Sequence, residues 1–548
     1  MKKRLLFFLI LFLILFTFNL NVLAQSELAM SIRNHLIVID EYEGFFPEEE
    51  EIYFYQELKE FYEGRYYKSI WFDGNDFKND VNALIAEIES SYREGLNPDD
   101  YHLEIIRECS VQDGLFSDEC LNRRALLDIL LTDAYLALAS DYLSGKTDAE
   151  IILDDYNFED DNLEAQSLLK LLVEENNIRQ TLKGQLPKSD NYRRLKEKLF
   201  YYRDSGEIRG WPTIEPGEVL AEAALGRRVS QLIENLRARN YLKDTQIEDE
   251  NYFNQDLKNA VIKFQIDNGL KADGKVGNKT LRALNISLKH RIKQLIINME
   301  RWRWLPEDLG ERYIYVNIAD YNLKLYENNN VIMEMKTIVG QEQRSTPVFS
   351  DQIKYLVINP YWYVPKSIAV KDKLPLIKKD YRYLNENNFS LFKYTSNNKL
   401  ERINPAEIDW ANITKDNFNF LLRQNPGDDN ALGRVKFMFP NKFSVYLHDT
   451  PGKYLFSENK RSFSSGCIRI EKPIDLAEYL LRDQEKWDRK AIEEEMKKDK
   501  KRTIYLTNPI QIYLQYNTAW VDSVGNLHFR ADIYNRDTKI IEEYFKSN

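Results

Sequence analysis

The spacing of apolar residues changes character along this chain near Pro306, and that change limits what it can fold into. Before it, stretches such as Val81–Ile88 (VNALIAEI) and Arg124–Leu131 (RALLDILL) carry apolar residues at helical spacing among strong helix formers. After it, Arg312–Leu325 (RYIYVNIADYNLKL) alternates and is rich in β-branched and aromatic residues. A helix repeats its face every 3.6 residues and a strand every two, so one pattern cannot serve the other structure. The chain is therefore expected to be multidomain α+β, and 548 residues allow three or four domains of roughly 150 residues each.

The helical part spans 30–215 and reads as a scaffold domain. Gly95–Pro98 and Gly145–Asp148 punctuate it. His35 and His102 are isolated in sequence from other chemistry-bearing residues and read as structural, and runs such as Glu48–Glu51 and Asp154–Asp155 read as solvated faces or caps. The sequence names no protein partner for this part. Gly210-Trp211-Pro212 breaks the pattern, and 216–288 forms a compact unit with helices over Val229–Leu242 and Asp256–Asn268. Asp273-Gly274 and Gly277 then suit tight turns, and Asn278 suits a cap. A linker helix over 289–310, with Arg301-Trp302-Arg303-Trp304, leads to a β-rich domain over 311–540. Its expected strands are Arg312–Leu325, Val331–Val339, Gln352–Asn359, Phe443–Leu447, Thr503–Leu506 and Gln511–Tyr516, completed by a hairpin turning at Gly525. Residues 366–430, lysine- and asparagine-rich and helix-leaning, interrupt it as a capping insertion over the site. Ile474–Arg482 is expected to be a helix, and 483–502 a charged helical surface.

The N-terminus places the protein. Lys2, Lys3 and Arg4 precede an apolar run, Leu5–Leu20, and Val22-Leu23-Ala24 offers a cleavage site before Gln25. Residues 1–24 read as a signal peptide, or as an uncleaved anchor in the inner membrane, since Leu5–Ala24 is long enough to span. Either way the body lies outside the cytoplasm, in the periplasm. A net charge of -11 argues against a nucleic-acid partner.

Three cysteines in an exported protein require an accounting. Cys109 and Cys120 either pair or sit as small buried hydrophobes. Cys467 is then the odd one, a reactive thiol or an intermolecular bridge. It lies in Tyr446–Arg469 (YLHDTPGKYLFSENKRSFSSGCIR), together with His448. Small residues Ser464, Ser465 and Gly466 leave the sulfur room, and a neighbouring imidazole can take its proton or hold it as an ion pair. The side chain or the backbone carbonyl of Asp449 can fix the other ring nitrogen. The amides of Ser465, Gly466 and Cys467 can form an oxyanion hole. Arg469 can hold a substrate carboxylate or brace the loop. No metal-ligand spacing is present, and no cofactor is expected.

Two resemblances follow from these residues. Phe264, Gln265, Gly269, Asp273, Gly274, Gly277 and Thr280 resemble the pattern of the peptidoglycan-binding-like three-helix domain. The segment His448…Ser464-Ser465-Gly466-Cys467-Ile468-Arg469 resembles the catalytic motif of the YkuD-type L,D-transpeptidases, in the large periplasmic branch with a capping subdomain. Val316–Ile318, Ile338–Gly340, Thr346–Phe349, Asn359–Pro365 and Thr518–Asp522 extend that likeness. Many members carry a second histidine where this chain has Ser465, which leaves His448 as the base in the motif. The resemblance implies peptidoglycan stems as donor and acceptor. Cys467 would attack a tetrapeptide stem, release D-alanine, and pass the acyl group from a thioester to a second stem as a 3→3 crosslink. Tyr446, Tyr361 and Trp362 would line the pocket with Ser464 and Arg469, and carbapenems would acylate Cys467. The same thioester also admits L,D-carboxypeptidase activity or attachment of a protein to the wall. A non-catalytic wall-binding scaffold is the alternative of another class.

Overall fold

The structure, a computed structural model, describes residues 27–45, 51–73, 76–78, 80–111, 118–153, 156–157, 165–175, 177–206, 210–243, 248–395 and 397–546. The expected signal segment 1–24 lies outside the described residues, as does the side chain of Cys120 and with it the Cys109–Cys120 pairing.

The helical body forms around Asp118–Ser144, whose residues from Leu127 to Ala139 are all buried. Apolar residues on every side of a helix require neighbours on every side. Its buried acids are satisfied. Asp128 accepts from the Tyr62 hydroxyl (2.6 Å) and from the backbone of Ile70 and Trp71 (3.1 Å each). Asp133 accepts from the backbone of Phe54 (2.9 Å) and pairs with His102 Nε2 (2.8 Å). His102, isolated in sequence, is thus one half of a buried structural pair.

The expected linker helix is something else. Leu288–Arg303 runs through this body, and every residue from Gln294 to Trp304 is buried. Arg303 pairs with Glu300 at 2.8 Å and donates to the Tyr192 hydroxyl at 2.9 Å. Glu300 also accepts from the Thr147 backbone at 2.8 Å, and Arg301 pairs with Asp537 at 2.7 Å. The charged side chains of this segment mimic a solvated connector, but Glu300, Arg301 and Arg303 are each matched by a buried partner distant in sequence.

The small unit holds helices Arg227–Ala238, Gln255–Asp267 and Asn278–Leu284. Gln265 accounts for much of its motif. Its side chain donates to Asp273 Oδ1 (3.1 Å), Lys275 O (2.9 Å) and Thr280 Oγ1 (3.1 Å), and accepts from Gly274 N (2.9 Å).

The β domain is a ten-stranded sheet, eight strands of which close on themselves. The circuit runs Val435–Met438, Leu447–His448, Ile468–Ile470, Asn330–Gly340, Asn322–Glu327, Arg312–Asn317, Arg502–Gln515, Val348–Ile358 and back to Val435–Met438. Closure leaves no long edge to aggregate. Inward residues such as Phe437, Leu447, Ile468, Val316 and Leu514 are wholly buried in its core. The single strand expected over Arg312–Leu325 is a hairpin: Ile318–Tyr321 turns, with the Tyr321 N–H donating to Ile318 O and Tyr321 at φ +55. The late hairpin Ala519–Val521 with Leu527–Phe529 does not complete the barrel. It forms its own two-stranded sheet, and Ala519, Val521 and Phe529 pack into the core of the helical body. A final helix, Arg536–Tyr544, was not foreseen.

The capping insertion builds a core of its own from Val364, Ile377, Leu391, Trp410, Phe418 and Leu422. It is less helical than its composition indicates. A four-stranded sheet, Leu400–Ile403, Phe389–Tyr394, Leu421–Gln424 and Trp362–Tyr363, stands beside its short helices and begins before residue 366.

The hairpin joins the units. Arg530 reaches Asp320 of the barrel (Nε–Oδ1, 2.7 Å) and the carbonyl of Asp267 in the three-helix unit (3.1 Å), and lies over Trp520. Arg530→Ala should cost about 1–3 kcal/mol, the range for hydrogen bonds to charged groups that are partly buried. Urea unfolding of the whole protein should show it as a lower midpoint and an earlier transition of the three-helix unit.

Candidate active site

One strand pairing builds the site. Leu447–His448 lies parallel to Ile468–Ile470 in the register Leu447↔Ile468 and His448↔Arg469, with Ile468 N donating to Tyr446 O at 3.1 Å. Residues opposite each other in a sheet share a face. Leu447 and Ile468 turn into the barrel, so His448 and Arg469 turn outward. Tyr446 and Cys467 come together one position earlier. On the other side Val435–Met438 sets Lys436 opposite His448. The outward row is thus Lys436, His448 and Arg469, with Tyr446 and Cys467 beside it.

The sulfur of Cys467 lies 3.8 Å from Ser444 O, and it is hydrogen-bonded by both the hydroxyl and the backbone N–H of Tyr446. Ser444 itself is held at φ +56. Burial pushes the thiol up from its ordinary value, against those hydrogen bonds and the charges of Lys436 and Arg469. The Tyr446 hydroxyl is also pushed up, mainly by burial. The sequence makes Tyr446 a pocket wall; the structure gives it a direct bond to the sulfur.

His448 is buried, and its ring meets that of Tyr446 edge-on at 5.7 Å. Its Nδ1 lies 2.5 Å from the backbone carbonyl of Asp449. A carbonyl only accepts, so Nδ1 carries the proton and Nε2 keeps its lone pair. Burial first, then the charge of Arg469, lowers the imidazole to about 3. It is neutral at any pH near 7, so the resting site is a thiol beside an imidazole and not a thiolate–imidazolium pair. Of the two ways Asp449 can hold the ring, the structure uses the carbonyl. The carboxylate turns away: it accepts from Thr450 N (2.7 Å) and Arg434 N (2.8 Å) and pairs with Lys453. A side chain at Gly433 would meet that carboxylate at 2.4 Å.

The loop before Cys467 is braced. Gly466 takes φ +111, a conformation that favours glycine. Its carbonyl accepts from Thr346 Oγ1 (2.8 Å), which accepts from Gly340 N (2.9 Å). Ser464 Oγ donates to Cys467 O (2.6 Å) and accepts from Gly466 N (3.2 Å). The Gly466 amide is therefore taken, and of the three expected oxyanion donors those of Ser465 and Cys467 remain. Ser464 braces the loop through both of these bonds. Ser465 Oγ accepts from Arg344 Nη1 at 2.9 Å, and the same guanidinium grips Asp372 of the cap at 2.6 and 3.0 Å. Arg344 thus ties the cap to the residue two before Cys467.

Tyr361 and Trp362 lie at the edge of the cap and make their ring contacts within it. Arg423 lies over the Tyr361 ring, and Trp362 packs on Phe389 and under Lys373 within the cap. Lys436 and Arg344 were missed. Lys436 had a signal, because Val435 and Phe437 point inward and the residue between them must point out; Arg344 had none. A cavity of about 420 Å³, lined by Phe349, Asp351, Lys354, Asn441 and Phe443, touches none of these site residues. No group of three or more potential metal ligands occurs among the described residues.

The site is thus a thiol and a neutral imidazole on one outward face of a closed barrel, which carries a separate cap and a three-helix unit. Comparison with known families is specific. Residues 311–503 match the L,D-transpeptidase catalytic domain (YkuD), 226–284 the "Putative peptidoglycan binding domain", and 56–199 a scaffold domain. Residues 311–503 therefore form a YkuD-type L,D-transpeptidase catalytic domain. The chain is 37% identical over 250 residues to a Haemophilus influenzae protein described as "Putative L,D-transpeptidase", covering 45% of this chain and 49% of that protein. The chain thus spans about half the length of that relative. Among solved structures, an L,D-transpeptidase from Xylanimonas cellulosilytica overlaps at 13% identity and TM-score 0.17, over 55% of this chain and 99% of that one. The Ldtfm–avibactam carbamoyl enzyme overlaps at 10% identity and TM-score 0.17, over 59% and 100%.

Two outcomes are expected. Alkylation of Cys467 by iodoacetamide should be slow at pH 7 and climb through the alkaline range, without a step near the ordinary imidazole value of 6.5; a step there would show that His448 titrates normally. Asp372→Asn should weaken cap docking by about 0.5–1 kcal/mol, seen as several-fold faster backbone hydrogen exchange over 366–373 with little change in global unfolding.

Proposed function

We propose that this protein is a peptidoglycan L,D-transpeptidase that forms 3→3 crosslinks through a thioester on Cys467. The observation that carries the reading is the protonation geometry: a neutral imidazole with Nδ1–H fixed on the Asp449 carbonyl, on the same sheet face as a protonated thiol. The thiol proton passes to His448 Nε2 as sulfur attacks the amide carbonyl of the L-configured third residue of a tetrapeptide stem. The amides of Ser465 and Cys467 stabilise the oxyanion, and the Tyr446 hydroxyl steadies the sulfur. His448 returns the proton to the leaving nitrogen, D-alanine departs, and the acyl group stays on sulfur. The amine at the D-centre of a neighbouring stem then attacks, His448 takes its proton, and the thiol is regenerated.

Arg469, beside Cys467, holds the carboxylate of the departing residue. Arg344 and Asp372 keep the cap over the centre, which limits the access of water to the thioester. The three-helix unit, fixed to the barrel through Arg530, holds the enzyme near its polymeric substrate. The proposed site of action is the periplasm, with the N-terminal segment as export signal or membrane anchor.

Purified protein incubated with tetrapeptide muropeptides should give crosslinked dimers with loss of D-alanine; tripeptide monomers alone would make the activity carboxypeptidase instead. A carbapenem should add its mass to the wild type and not to Cys467→Ala. His448→Ala should slow that acylation by about 10²–10⁴-fold, the usual contribution of a positioned base.

A further inference from the structure

The charges on the site face do not balance. Lys436 and Arg469 are both largely buried, and among the described residues neither side chain has a hydrogen bond or an ion pair. Arg469 Nε is buried with no partner. The Lys436 ammonium lies 5.1 Å from the centre of the Tyr446 ring, a contact that steers a cation and leaves its three N–H donors available. Several cations around them are engaged: Lys453 with Asp449, Arg434 with Asp428 and Asp499, Arg344 with Asp372, Arg461 with the carbonyls of Thr337 and Tyr321; Lys501 adds a further positive charge near Lys436. Keeping two cations half out of water with no counter-ion is costly, and the cost falls when an anion enters. The protein's own anion here is the Cys467 thiolate. It is transient, carries one charge, and vanishes in an acyl-enzyme.

Register supplies the geometry. Lys436, His448 and Arg469 lie in one row across three neighbouring strands, with His448 in the middle. Adjacent strands are about 4.8 Å apart, so the two cations start roughly 10 Å from each other on opposite sides of His448, the base of the reacting centre, with Cys467 on the strand that carries Arg469. A peptide whose scissile amide sits at that centre meets one cation on each side of the bond. We propose that Lys436 is a specificity-determining residue that binds a carboxylate on the acyl side of the scissile amide, opposite the departing carboxylate held by Arg469. The preferred donor is then a peptide anionic on both sides of the bond. This rests on the transpeptidase reading given above and adds to it the residue that selects the acyl half.

The test pairs a donor change with a protein change. Three tetrapeptide donors are compared: the free diacid, the acyl-side carboxamide and the terminal carboxamide. Release of the terminal residue is followed by mass for the wild type, Lys436→Met, Lys436→Gln and Lys436→Arg. For the wild type, the acyl-side carboxamide should lower kcat/KM by about tenfold to a hundredfold, the worth of one charge-assisted hydrogen bond. In Lys436→Met and Lys436→Gln the ratio of diacid to acyl-side carboxamide should fall towards one, while the preference for the terminal carboxylate persists. Lys436→Arg should restore the first ratio. A uniform loss across all three donors with the ratio intact overturns the proposal. So does an intact ratio with a shifted pH profile for Cys467 alkylation, which would make Lys436 a thiolate-stabilising residue. Failure of the wild type to release the terminal residue from any donor would instead defeat the transpeptidase reading.

Discussion

The backbone bond from Ile468 N to Tyr446 O, inside the parallel pairing of Leu447–His448 with Ile468–Ile470, is what the rest of the site depends on. It sends Leu447 and Ile468 into the barrel core and leaves His448, Arg469, Tyr446 and Cys467 together outside. A slip of one residue would exchange the two sets, because side chains alternate with period two. The burial of Leu447 and Ile468 is therefore what registers the chemistry. A parallel pair needs a long connection, and residues 449–467 supply it, folding back through the helical turn Lys453–Ser457 and the short strand Ser462–Ser464.

Around that pairing the protein puts rigid supports. Asp449 divides its work: its carbonyl sets the tautomer of His448, and its carboxylate holds the neighbouring loop through Arg434 N, Thr450 N and Lys453. Thr346 joins Gly340 to Gly466, and Tyr534 donates to Gly340 O at 2.6 Å, so the segment after the barrel also steadies the cysteine loop. The buried helix Leu288–Arg303 and the hairpin around Arg530 fix the barrel, the helical body and the three-helix unit to one another. In the proposed function this fixes the orientation of a wall-facing unit relative to the thiol.

Much of the fold was legible because local pattern decided it. Helices Gln255–Asp267 and Pro473–Leu481 and strands Asn330–Gly340 and Val348–Ile358 follow from periodicity and turn residues, with ends shifted by a few positions. His448 and Cys467 were legible as rare residues in a small-residue context, and the structure puts them on one face. What was not legible depends on which segments become neighbours. The charged Leu288–Arg303 looks solvated until Glu300 meets Thr147 and Arg301 meets Asp537. The last hairpin carries ordinary strand signals, and nothing in them says that it packs on helices. Trp362 is an aromatic near a predicted site, yet the cap needs it for its own packing. Asp449 could hold its histidine in two ways from sequence, and only the carbonyl distance chooses between them.

The central claim is that Cys467 carries the acyl half of a stem peptide, formed from a site whose imidazole is neutral at rest. Rapid quenching during turnover of a tetrapeptide donor, followed by intact-mass analysis and peptide mapping, tests it most directly. The account predicts a transient adduct on Cys467 whose mass is the donor less its terminal amino acid, consumed when an acceptor amine is added. An adduct on another residue, or turnover with no covalent intermediate on Cys467, would contradict it.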